Sequence, residues 1–193
     1  MLVNKDCRYF RGDIPCIFNK REGIHCDNCK YYSKTKEKIL IIKLGAIGDV
    51  IRTTPLLVKL KNEYPESMIY WFTLTPEILP NSIDKKLDFE LKNILFVENT
   101  TFDILINLDK DLEACALAKE INAKKKFGFT LANGVPIPIN DFAKHKYFTG
   151  LFDDISQINK KSYVEEIFEI CGYKFSGEKY LINRDNLNYH WDL

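Results

Sequence analysis

Two groups of residues in this chain have the types and spacing to do chemistry. The first is Gly45, Gly48 and Asp49, followed by Arg52 and Thr53, in the stretch Lys43-Leu-Gly-Ala-Ile-Gly-Asp-Val-Ile-Arg-Thr. A carboxylate carried on a glycine loop can take the proton from a hydroxyl as that oxygen attacks. A well-placed base of this kind contributes about 10²–10⁴ in rate. The same acid also suits the first turn of a helix, where the dipole favours it by about 0.3–1 kcal/mol, and the two roles are compatible. The second group is Cys7, Cys16, Cys26 and Cys29, ending in Cys-Asp-Asn-Cys. A C-x-x-C turn aims two sulfurs at one ion and is the common half of a zinc site, although Cys7 and Cys16 are more widely spaced than the usual second pair. His25, beside the turn, can stand in for a thiolate. A structural Zn²⁺ is therefore expected here. Reduced or partly disulfide-bonded thiols and an iron–sulfur cluster are the alternatives. A four-thiolate site has no open coordination position, so it is given no catalytic role.

Both groups need elements to hold them. An apolar, β-branched run at residues 39–42 stops at the Gly45/Gly48 loop, and an amphipathic pattern follows. That order predicts a buried parallel strand, a tight turn and a helix start. In open α/β sheets ligands gather at the carboxyl ends of the strands, which is where this loop would lie. The helix is expected over residues 49–64, with Thr54 and Pro55 as packing and kink positions. Strands are expected at 68–74, 94–97 and 102–108, the last ending at Asp109. Pro76, Pro80 and Asn81 mark an irregular connection. A helix at 111–122 and a strand at 126–129 follow, and 133–138 reads as a surface loop or hairpin. Ser162 and Glu165 have the spacing of a capping box, opening a helix that runs to about Cys171 and stops at Gly172. A last short strand is expected at 179–182, before the terminal Trp191-Asp192-Leu193. Strands alternating with helices imply an α/β, Rossmann-like domain with a mostly parallel sheet covered on both faces, over residues 36–193. Residues 1–35 form a separate Cys-rich, metal-binding segment. It is too short and glycine-punctuated to order itself by burial, whereas a structural zinc site supplies about 10–16 kcal/mol of apparent binding energy.

The glycine loop is not G-x-G-x-x-G, no acid ends the second strand to hold a ribose, and no G-x-x-x-x-G-K-[ST] occurs. Nicotinamide and P-loop nucleotide sites are thus disfavoured. The segment Lys38-Ile-Leu-Ile-Ile-Lys-Leu-Gly-Ala-Ile-Gly-Asp-Val-Ile-Arg-Thr-Thr-Pro-Leu-Leu instead resembles the N-terminal signature of glycosyltransferase family 9, the lipopolysaccharide heptosyltransferases and their relatives. The likeness extends over residues 36–180 and is strongest at 38–65. It implies the acceptor-side half of a two-domain GT-B enzyme that moves a sugar from a nucleotide-sugar donor to a glycan or lipid-linked cell-envelope acceptor. Transfer would invert the anomeric centre without a catalytic metal, with Asp49 as base. Gly45, Gly48, Arg52, Thr53 and Asp109 would line the acceptor side. Arg52 and Thr53 equally suit a solvated helix face, and Asp109 the cap of the next helix. The resemblance also implies a donor-binding domain of comparable size, which residues 1–193 do not contain, so acceptor binding with little or no turnover is expected of the chain alone. The alternative is a non-enzymatic Rossmann-like binding module with a structural zinc site, in which Asp49 only starts a helix.

Composition narrows the classes further. Hydrophobic residues make up 46% and charged residues 28% of the 193, as in an ordinary globular protein, and the formal net charge is +1. No global charge draws the chain to nucleic acid or an anionic membrane, and the short basic clusters at 34–38 and 124–126 fit solvated edges. No apolar run reaches the roughly 18 residues that span a bilayer, and no signal-peptide core opens the chain. A cytoplasmic location follows by default, with peripheral contact at the inner membrane implied by the resemblance. Cys115 and Cys171 sit in apolar helical patterns and are expected to be buried and inert. His25, His145 and His190 form no spaced pair.

Overall fold

A computed structural model describes residues 2–183. In chain order the elements are α1 (Ile17–Glu22), β1 (Lys38–Ile42), α2 (Ile47–Thr53), α3 (Pro55–Glu63), β2 (Met68–Phe72), β3 (Lys85–Leu87), α4 (Leu91–Glu98), β4 (Phe102–Asn107), α5 (Leu112–Glu120), β5 (Ala123–Ala132), β6 (Val135–Pro138), α6 (Lys144–Thr149), α7 (Asp153–Ile158) and α8 (Tyr163–Ile170). The strands form one sheet in the order β3-β2-β1-β4-β5-β6. All neighbours are parallel except the β5–β6 hairpin. This is the mostly parallel α/β architecture expected from the sequence. Its edges are β3, three residues long with Lys85 and Lys86, and β6, which carries Pro136 and Pro138. The Pro136 carbonyl accepts from the Tyr147 hydroxyl at 2.9 Å.

Alternation along the central strands builds a core on each face. Ile39, Ile41, Ile69, Trp71, Ile104 and Ile106 pack with Leu56, Leu57 and Leu60 of α3 and Ile167 and Phe168 of α8. The intervening residues, among them Leu40, Ile42, Tyr70, Phe72 and Leu105, face Val97 of α4 and Ala114, Leu117 and Ala118 of α5. Strands buried on both sides read as continuous apolar runs for this reason.

Several expectations change. The helix expected at 49–64 is two helices, because Pro55 cannot continue the first and instead opens α3 at its first turn. The run at 94–97 is not a strand but the end of α4. Ile94 and Val97, three apart, face the core, while Leu95 and Phe96 are exposed. The third strand is instead β3, whose charged Lys-Lys-Leu gave no apolar signal. Helices α6 and α7 were not expected. Residues 179–182 form no strand; the Leu181 N–H donates to Thr54 Oγ1 at 3.0 Å. The 133–138 stretch is a hairpin, with Asn133 and Gly134 both at positive φ, as a tight two-residue turn requires. The Ser162–Glu165 capping box is present and opens α8. His190 and the terminal Trp191-Asp192-Leu193 lie outside the described residues.

Residues 2–35 contain no buried side chain. Their internal packing centres on Phe18, stacked on Tyr31 at 3.8 Å between ring centres and edge-on to Tyr9 at 4.8 Å. Arg8 fastens the segment to the amino-terminal end of the sheet. It pairs with Asp84 and donates to the Ser67 carbonyl at 2.9 Å. Asp84 also accepts from the Ile69 N–H at 2.8 Å and lies 3.3 Å from Lys61.

Candidate active site

The order of the strands reverses between β1 and β4, since the chain runs outward to β2 and β3 on one side and to β5 and β6 on the other. The crevice at such a reversal, at the carboxyl ends, is where doubly wound sheets bind ligands. Three acidic or basic side chains converge there. Lys43, immediately after β1, is 4% exposed. Its ammonium bonds to the Asp109 carboxylate and the Gly45 carbonyl and lies 3.8 Å from Asp49 Oδ2. The second Asp109 oxygen accepts from the Leu44 N–H. Burial pushes the Asp109 carboxyl up, while the Lys43 charge pulls it back. The Asp109 N–H donates to Asn107 Oδ1 at 3.1 Å, and Asn107 Nδ2 donates to the Phe129 carbonyl at 2.9 Å. These links lock the ends of β1, β4 and β5 into one frame.

Asp49 stands at the mouth of this frame in the first turn of α2, its side chain 31% exposed. The Arg52 guanidinium donates to Oδ1. Arg52 also lies over the Tyr163 ring at 4.2 Å, with Lys146 5.1 Å from the same ring centre. Cations over an aromatic face are attracted by its quadrupole, so Tyr163 holds the guanidinium against Asp49. Burial, together with the Asp49 charge, raises the Tyr163 hydroxyl well above the ordinary phenol range. Lys146 pairs at 2.6 Å with Glu166, a buried carboxylate that also accepts from Thr149 at 3.2 Å and Asn159 at 3.0 Å.

The residues singled out in the sequence therefore divide. Asp49 and Arg52 meet at the mouth. Gly48 also lies there, and a Cβ added to it would meet nothing within 4 Å; at Gly45 it would meet only Leu74, at 4.0 Å. Neither glycine sits at positive φ, and the space beside each is open. Thr53 is fully buried, and its hydroxyl donates to the Asp49 carbonyl at 2.8 Å, so it is not a solvated helix residue. Asp109 neither caps the next helix nor opens to solvent: it is 6% exposed, with both oxygens engaged. Lys43, Asn107 and Tyr163 were missed. For Lys43 a signal existed, a lysine closing an unbroken apolar run, because a charge at a strand end buried on both faces must have a partner.

The cysteines lie at the opposite end of the sheet. Cys7, Cys16, Cys26 and Cys29 line one cavity of about 30 Å³, together with His25 and aromatic side chains. Among the described residues no three Cys, His, Asp or Glu side chains stand ready-set to hold an ion. Cys115 and Cys171 are buried, and burial lifts the Cys115 thiol to about 11 and Cys171 higher still, as suits inert thiols.

No protein-family model matches the chain. A curated relative does: the lipopolysaccharide core heptosyltransferase OpsX of Haemophilus influenzae is 27% identical over 111 residues, covering 51% of this chain and 31% of that protein. Over that stretch the chain is similar in sequence to a lipopolysaccharide core heptosyltransferase. The match thus takes in about a third of the relative's length. Two solved structures are also similar to the chain. The glycosyl transferase family 9 structure from Veillonella parvula has a TM-score of 0.42 and 26% identity, covering 50% of this chain and 32% of that one. The E. coli heptosyltransferase WaaC with ADP has a TM-score of 0.48 and 13% identity, covering 74% and 50%. Among the described residues no helix is long and apolar enough to cross a membrane.

Proposed function

We propose that this domain is the acceptor-side half of a glycosyltransferase that moves a sugar, of the heptose kind, from a nucleotide-sugar donor to a cell-envelope glycan. The observation that carries the proposal is Asp49. It is a partly exposed carboxylate at the β1/β4 reversal, in a domain similar to a lipopolysaccharide core heptosyltransferase. In this scheme the Asp49 carboxylate accepts the proton of an acceptor hydroxyl as its oxygen bonds to the anomeric carbon and the nucleoside diphosphate leaves from the opposite side, inverting that centre. Lys43 and Arg52 hold the carboxylate from two sides and limit its orientations, so the acceptor meets a base already aimed. Lys110, next to Asp109 and half-buried beside the Lys146 charge, would favour an acceptor bearing acidic groups. The base is a side chain, so the proton transfer itself calls on no metal. The donor would be held by a second domain across the cleft.

The test is transfer from an ADP-activated heptose to a lipopolysaccharide inner-core acceptor, assayed with the chain alone and with a donor-binding domain supplied. Activity that requires the second domain and falls at least about 100-fold in Asp49→Asn, with the fold unchanged by circular dichroism, is the expected result. Retained activity in Asp49→Asn would assign Asp49 to helix initiation alone and favour a binding module.

A further inference from the structure

Residues 2–35 hold a defined backbone without burying one side chain. A segment this size without a core needs another staple. Disulfides do not supply it, since all four of its cysteines are free thiols. Those cysteines come from separated points: the bridge of Cys7 to Lys34, the start of α1, and a 3-10 turn over Cys26–Asn28. They nevertheless reach the wall of a single cavity. We propose that this cavity is the site of one structural zinc ion bound by Cys7, Cys16, Cys26 and Cys29.

Three features support the assignment. Cys16 caps α1, and its sulfur accepts from the Asn19 N–H at 3.5 Å, the kind of backbone bond that orients a thiolate ligand. The 3-10 turn brings Cys26 and Cys29, three apart, to the same side, because side chains at that spacing eclipse. The cavity, about 30 Å³, brings all four sulfurs, with His25, to the wall of one small void. The sulfurs surround the void without converging on one point, so binding draws them inward to zinc–sulfur distances of about 2.3 Å and is coupled to the final ordering of the segment. Each ligand enters as a thiolate and releases its proton to solvent; no electron is transferred. Arg8 places the site at the amino-terminal end of the sheet, away from Asp49, and its role is structural.

The experiment uses the full chain, purified without chelator under reducing conditions, with metal content measured by mass spectrometry. One zinc per chain is expected. After removal of the zinc, Co²⁺ should restore stoichiometric binding, with the sulfur-to-cobalt charge-transfer band and strong visible absorption of a tetrahedral thiolate site. Cys29→Ser should lose that spectrum, while Cys115→Ser, outside the cavity, should keep it. Should Cys29→Ser fail to fold, the cobalt spectrum of the unaltered chain decides. Absence of stoichiometric zinc together with no cobalt spectrum, stoichiometric iron with a visible cluster band, or disulfides among these four cysteines in the reduced preparation would each overturn the proposal.

Discussion

Lys43 is the residue on which the mouth of the sheet depends. A buried ammonium and a buried carboxylate are each costly alone, and removing one strands the other. Lys43→Met is therefore expected to lower stability by about 3–5 kcal/mol in urea unfolding, and the double variant Lys43→Met/Asp109→Leu should lose less than Lys43→Met alone. Gly48 predicts a different split. Its added Cβ would stand in open space within a helix. Gly48→Ala should thus leave stability unchanged or raise it by up to about 1 kcal/mol, while lowering transfer activity by crowding the approach to Asp49. A matched loss of stability and activity would refute the view that Gly48 clears space for a ligand. Asp49 was legible in the sequence because a local pattern, strand then glycine loop then acid, surrounds it. Tyr163 was not, because its link to Arg52 spans more than a hundred residues and leaves no local trace.

Elements whose limits are set by local chemistry were the ones the sequence specified well. The Asn133-Gly134 turn, the Ser162 cap and the Gly172 stop each act within a few residues of themselves, whereas Pro55, read as a kink, divides one expected helix into two. The failures were short pieces defined by their neighbours. A four-residue apolar run became the end of α4 because it follows the core at a spacing of three, and β3 formed because β2 offered an edge. One glycine that the sheet requires carries no local signal in the sequence. Gly128, paired with Asn107 across β4 and β5, has φ +93°, and a Cβ there would lie 1.7 Å from the Asn107 carbonyl oxygen. Gly128→Ala should cost about 3 kcal/mol or more, read as a lowered unfolding midpoint. The trio of α6, α7 and α8 is held by Glu166 through Lys146, Thr149 and Asn159. Glu166→Ala is expected to cost about 3 kcal/mol and to speed amide exchange in residues 144–158 more than in the central strands. Uniform acceleration across the sheet would refute that local role.

At the scale of the molecule, the two groups of chemical residues occupy opposite ends of one sheet. Asp49 lies at the carboxyl ends of the strands and the cysteines near their amino ends, separated by at least the length of β1, roughly 15 Å. With the metal site assigned as above, chelation should speed amide exchange in residues 2–35 and leave residues 38–42 protected. Loss of protection in both would mean that the segment and the sheet unfold as one unit. The lateral borders of the sheet have a consequence of their own. A border strand with free amides is a template for another chain. Here one border is three residues long and bears two lysines. The other carries two prolines that have no amide to offer, and a carbonyl already taken by Tyr147. Fibrils and dimers built by lengthening this sheet are therefore blocked at both margins, and self-association of the folded chain has to proceed through side-chain surfaces instead.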